Sequence, residues 1–180
     1  MVVKTLLLFI NFFRLNILSG IEYKKPFILQ VSGMIINNGA LLIFWIILYD
    51  KFEADFLKKG INFQEIALLY SLACTYYGLT QIFAGGATRL GSYIISGQLD
   101  IYLLYPPNPL LLSVLSKSDY SAWGDLISGL AFFIFFTKVS LINSLLFLFL
   151  SLTATLILVS FIIITESLTF FWGNSESVSH

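Results

Sequence analysis

SGQLDIYLLYPPNP, residues 96–109, interrupts the long apolar runs of this chain and decides how the rest is read. Gly97, the pair Pro106-Pro107 and the following Asn108-Pro109 cannot sit comfortably inside a membrane-spanning helix. Glycine gives up more backbone entropy than any other residue, and proline lacks an N–H and clashes with the preceding turn. Here the chain leaves the bilayer core. Between the breakers lie Leu99, Asp100, Ile101, Tyr102, Leu103 and Leu104, an apolar run around one carboxylate that a mere connecting loop has little reason to carry. It reads as a docking surface, against the plainer alternative of a tight membrane re-entry.

Outward from that stretch, the composition is that of an integral membrane protein. Of 180 residues, 58% are hydrophobic and only 11% charged, where a soluble domain carries roughly a quarter charged. Several continuous apolar runs approach the ~20 residues that a hydrocarbon core requires, which indicates an all-α polytopic bundle. A barrel is disfavoured, because barrel strands are short and alternate apolar with polar. Formal net charge is zero, so no basic patch exists to neutralise nucleic-acid phosphates. The single cysteine, Cys74, excludes an intramolecular disulfide.

Four spans are expected, at residues 27–49, 61–84, 122–138 and 141–165. Before them, residues 1–25 read as an amphipathic interfacial helix. A cleaved signal peptide does not fit, since Asn11 and Arg14 interrupt a short apolar stretch and no small-x-small site follows it. Pro26 suits the first turn of the first span. Gln30, Asn37 and Asn38 are polar within that span and are expected to face inward, as packing contacts or as lining of a pathway.

Residues 50–60 form a mixed-charge loop, and Asn62 with Glu65 makes a capping pair for the second span. That span carries Gln81 and the tyrosines Tyr70, Tyr76 and Tyr77, which resemble an interface belt. In the third, Gly124, Ser128 and Ala131 place small residues along one side, where another helix can approach closely. Asp125 lies in its first turn, favoured there by the helix dipole, or as an ionisable group in a permeation path. Lys138 closes that span by snorkelling to the interface, and Glu166 is placed at the interface after the fourth.

The connector between the second and third spans, residues 85–121, is the longest non-spanning region between helices. Long connectors in compact bundles usually serve a function. Its residues Leu110 to Leu115 read as a half-buried interfacial helix.

Lys and Arg counts set the orientation. Lys4, Arg14, Lys24, Lys25, Arg89 and Lys117 give six on one side, against four on the other from Lys51, Lys58, Lys59 and Lys138. The N-terminus, the connector and the C-terminus are therefore expected in the cytoplasm.

Catalytic signatures are missing from the sequence. There is no Gly-rich phosphate loop, H-E-x-x-H or G-x-S-x-G, and the one histidine is the last residue, His180. Asp100, Asp119 and Asp125 lack the tight spacing of a metal site for lipid-headgroup transfer. Neither an enzyme nor a bound cofactor or metal is expected.

Within the connector, Gly97, Leu99, Asp100, Leu103, Leu104, Pro106, Asn108 and Pro109 follow the pattern G-x-L-D-x-x-L-L-x-P-x-N-P. This resembles the signature of bacterial ABC-2-type transporter permeases, in the branch that includes proposed viologen and drug exporters. Glu22-Tyr23 before the first span, Gly124-Asp125 opening the third and FWGNSES at 171–177 extend the resemblance along the chain. Tyr105 departs from it, since the family commonly has Arg before the first proline. Members usually also continue for two more spans, to six, so the chain is expected to be a truncated gene product, a fragment or a degenerate paralogue.

The resemblance implies a permease subunit of the bacterial inner membrane that binds no nucleotide. A second permease subunit, alike or different, would complete the pathway, and a cytoplasmic ATPase pair would drive it through the eight signature residues of the connector. A non-transporting membrane interaction protein is the competing expectation.

Overall fold

The computed structural model describes residues 2–105, 108–137 and 139–172. Every regular element among them is helical, in the order α1 (Val2–Glu22), α2 (Lys24–Lys51), α3 (Glu53–Lys58), α4 (Phe63–Ala84), a 3-10 turn (Ala87–Arg89), α5 (Leu90–Ile95), α6 (Leu99–Leu103), α7 (Pro109–Leu115), α8 (Ala122–Phe136), α9 (Leu141–Ser167) and α10 (Thr169–Trp172). Lys138, Pro106, Pro107, residues 173–177 of the FWGNSES run and His180 lie outside the described residues.

Three stretches are long and apolar enough to cross a membrane: Lys24–Lys51, Phe63–Ala84 and Leu141–Phe171. The chain is a multi-pass helical membrane protein. The expected third span is the exception to the length rule. Helix α8 has 15 residues, which rise only about 22 Å against a ~30 Å hydrocarbon core.

Several expected boundaries shift for local reasons. Helix α2 begins at Lys24 and not at Phe27, with Pro26 third in the helix; the first-turn amides have no intrahelical acceptor, so proline costs nothing there. The expected loop 50–60 is largely helical, because α2 continues to Lys51 and α3 fills Glu53–Lys58. At the start of α4, the Asn62 N–H donates to Glu65 Oε2 at 3.4 Å, one half of a capping box.

The chain divides into two compact units. One holds Lys25–Leu79 and Tyr120–Thr155, in which α8 lies against α2 and α4 at backbone distance. A Cβ added at Gly124 would come within 2.6 Å of the Val31 carbonyl oxygen, and one at Gly129 within 2.8 Å of the Ser71 carbonyl oxygen. Small residues substitute for the hydrophobic effect as the means of bringing helices together in lipid. Gly124 thus meets the close approach expected of it, while Gly129 performs the same task unannounced.

Aromatic contacts finish this unit. Phe133 stacks on Phe147 with centroids 4.2 Å apart. Tyr49 meets Phe56 and Phe63, and Phe63 meets Phe136 edge-on.

The other unit gathers α1 with the residues that follow it to Lys24, then Thr80–Asp119 and the chain from Leu156 onward. Its apolar centre is Ala84, Ala87 and Val114, covered by Val159, Ile162 and Ile163 of α9. Helix α1 joins through Phe13, stacked on Phe83 at 5.0 Å, and through Asn16, whose amide donates to the Leu115 carbonyl at 3.3 Å.

Candidate functional site

The connector is built of three short helices, one of them a buried base. Helix α7 forms that base, with Leu112, Ser113, Val114 and Leu115 all buried. Four buried residues exceed the half-burial expected for 110–115, because α7 packs on its own chain. Backbone bonds clamp it to the end of α4: the Gly86 N–H donates to the Val114 carbonyl and the Asp119 N–H to the Gln81 carbonyl, each at 3.1 Å. Ser118 Oγ donates to the Ile82 carbonyl. Gln81, expected in packing or a pathway, is half-buried in this joint.

Asn108 and Pro109 start α7. The Asn108 Oδ1 accepts the Leu110 N–H at 2.9 Å, and Pro109 takes the first helical position. This is a side-chain cap followed by the residue that loses nothing by lacking an N–H.

The outer part of the connector turns on Gly97. Its φ of +71° is one that only glycine adopts without strain, although a side chain would meet nothing within 4 Å. The turn launches α6, the five residues Leu99–Leu103. Tyr102 is the inward anchor, its ring 5.9 Å from that of Tyr93 on α5. Leu99 is half-buried.

Around that anchor the apolar residues face outward: Ile101 is 55% exposed, Leu103 61%, Leu104 84% and Tyr105 57%. Asp100 is exposed beside them. Of the signature residues, Leu103, Leu104 and Asp100 therefore share the outer surface, Gly97 shapes it, and Asn108 and Pro109 build the helix behind it. Pro106 lies outside the described residues. Ile101 and Tyr105, which are not among the signature residues, join that surface.

A contact from far along the chain holds α5. The Glu166 carboxylate near the end of α9 accepts the Gly91 N–H at 2.9 Å. Glu166, expected at an interface, lies within α9, which continues to Ser167, and its side chain meets the connector.

Polar residues of α2, α4 and α8 form a second cluster. Asn38 is buried and donates its amide to Asp125 Oδ1 at 2.8 Å. The Tyr70 hydroxyl donates to the Asn38 carbonyl at 3.2 Å and lies 3.4 Å from its side-chain oxygen. Asp125 and Ser128 are each 3% exposed, and Ser128 Oγ has no hydrogen-bond partner among the described residues. Two expectations are corrected here. Tyr70 belongs to this interior cluster and not to an interface belt, and Asn37 and Gln30 are exposed where inward placement was expected. Neighbouring residues on a helix point about 100° apart, so Asn37 and Asn38 cannot share a face.

Neither cluster resembles a catalytic centre, and no group of three or more metal-ligating side chains occurs among the described residues. Comparison with curated proteins and with solved structures gives no match. Comparison with known protein families matches residues 35–180 to the family described as ABC-2 family transporter protein. The match takes in α3 to α10 and most of α2, with the whole connector inside it. On that match, and with its several apolar spanning helices, the chain belongs to the ABC-2 family of transporter proteins as a membrane permease component.

Proposed function

We propose that this chain is the permease subunit of an ATP-driven exporter in a bacterial inner membrane, and that a separate cytoplasmic ATPase docks on the outer face of its connector. The chain itself binds no nucleotide, metal or cofactor. Helices α2, α4, α8 and α9 are its spans, α1 lies along the cytoplasmic headgroups, and a second permease subunit completes the pathway. Its other partner is membrane lipid.

The observation that carries this reading is the outward set Ile101, Leu103, Leu104 and Tyr105 on a turn anchored by Tyr102. Apolar patches rimmed by polar residues mark protein contacts. Asp100 offers an exposed carboxylate at the edge of the patch for a basic group on the partner. The route inward is equally concrete. A push on α6 reaches α5 through the Gly97 turn and the Tyr93–Tyr102 contact, and α5 is tied to α9 by Glu166.

Leu103→Asp tests the docking. It is expected to insert in the membrane normally yet lose co-purification with the ATPase, and drug-stimulated ATPase activity in reconstituted vesicles should disappear with it. Normal co-purification would overturn the docking surface. ATPase binding without any stimulation by transported drugs would favour the non-transporting interaction protein.

A further inference from the structure

We infer that the outward stripe Gln30–Gly33–Asn37–Ala40–Phe44 of α2 is the surface on which a second copy of this chain pairs in parallel. The inference deepens the second-subunit element of the proposed function by naming the face and the partner.

The two amides carry it. Gln30 and Asn37 are exposed, and neither has a hydrogen-bond partner among the described residues. Exposed hydroxyls in the spans satisfy themselves: Ser160 donates to the Leu156 carbonyl of its own helix at 2.8 Å, and Thr165 does likewise to Phe161. A carboxamide presents two donors and an acceptor, more than the backbone of its own helix can meet. In hydrocarbon, such a group requires a partner from another helix.

For Asn37, depth excludes the headgroups as that partner. Asn37 falls at the middle of the 28-residue α2, about 20 Å along the axis from either end. The contrast with α9 is direct, since its most exposed large hydrophobic side chains, Leu141, Ile142, Leu156 and Ile157, are ones that lipid solvates without help.

The spacing selects the partner. Positions 30, 33, 37, 40 and 44 alternate steps of three and four, the seam of a left-handed parallel helix pair. They fall within about 80° of the helix circumference at 3.6 residues per turn. Gln30 and Asn37 are seven residues apart, so they occupy the same seam position in successive repeats. In a two-fold parallel pair residue i meets residue i, and an amide is its own complement, as a carboxylate or an ammonium is not. Gly33 between them has nothing within 4 Å of an added Cβ, so it is not small for the sake of packing within its own chain. No charge interrupts the face from Phe27 to Tyr49.

The test is oxidative cross-linking of the full chain in vesicles, in a Cys74→Ala background and without any ATPase. Asn37→Cys is expected to give a covalent dimer of twice the chain mass, while Ile43→Cys on the same helix and Leu156→Cys on α9, both exposed, stay monomeric. With Cys74 retained, Asn37→Leu should weaken self-association about three- to twenty-fold, the span measured for single interhelical hydrogen bonds in membranes, counted by single-molecule photobleaching of tagged chains.

A monomeric Asn37→Cys, equal cross-linking at Ile43→Cys, unchanged association of Asn37→Leu, or cross-linking only to a different protein would each overturn the inference. So would labelling of Asn37→Cys by a membrane-impermeant maleimide, which would put the stripe on an aqueous path. ATPase co-purification is read separately, through Leu103→Asp, so loss of the docking reading leaves the cross-link intact and loss of the cross-link leaves the docking reading intact.

Discussion

Asn38 donates its side-chain amide to Asp125 Oδ1 at 2.8 Å, joining the middle of α2 to the first turn of α8. Both side chains are buried, and the Tyr70 hydroxyl of α4 closes on the Asn38 carbonyl. Three helices thus share one polar contact in a part of the chain where lipid offers no alternative partner. The pairing decides which of the two adjacent amides of α2 serves the interior.

Asn38→Leu is expected to destabilise the protein by about 1–2 kcal/mol, because it strips a donor from a buried carboxyl group whose desolvation is no longer offset. Asp125→Asn should cost less, since an amide oxygen can still accept from Asn38. The double variant Asn38→Leu with Asp125→Leu should lose less than the two single losses added together, the signature of groups in one contact. Denaturant unfolding in mixed micelles measures all three. Strict additivity would show that the hydrogen bond contributes nothing.

Glycine positions separate packing from permissiveness. Gly129→Ala would place a methyl within 2.8 Å of the Ser71 carbonyl oxygen, so α8 and α4 must part to admit it. A loss of about 1–3 kcal/mol is expected, the usual cost of overpacking. Gly39→Ala, which meets nothing within 4 Å, should leave stability unchanged or raise it slightly. Thermal unfolding of the two variants side by side decides the matter, and equal losses would remove close approach as the reason for Gly129.

Local chemistry was legible in the chain and long-range pairing was not. Asn108-Pro109 reads in the sequence as a break in any spanning helix, and the structure shows that break as the cap and first position of α7. The apolar excess of LDIYLL was equally plain. What could not be read was that Tyr102 would turn inward while Ile101 and Leu103 turn outward, since a five-residue helix is too short for its period to declare a face. Asn37 and Asn38 pose the same difficulty in a long helix. α2 is apolar almost all round, so no amphipathic pattern marks its inner side. The tie between Gly91 and Glu166 spans 75 residues and leaves no trace in either neighbourhood.

That tie is the most exposed to test. Glu166 Oε2 accepts the Gly91 N–H at 2.9 Å, and an added Cβ at Gly91 would sit 3.0 Å from Thr169 Oγ1, so α5 is held against the end of α9 on a tight seat. Glu166→Ala removes the acceptor, and the proposed path from docking surface to spanning helix loses its last link. Glu166→Gln keeps an acceptor oxygen at the same reach. The expected order is therefore specific: Glu166→Ala should speed hydrogen exchange at residues 90–95 by about ten-fold, equivalent to ~1.4 kcal/mol, the upper part of the range for one hydrogen bond, with Glu166→Gln close to the parent. Exchange in residues 122–136 should not change. In vesicles, Glu166→Ala should retain ATPase binding through Leu103 and Leu104 while losing most of its drug stimulation, because contact survives and transmission does not. Full stimulation in Glu166→Ala would mean that movement reaches the spans by another route, and loss of ATPase binding would mean that Glu166 shapes the docking face itself.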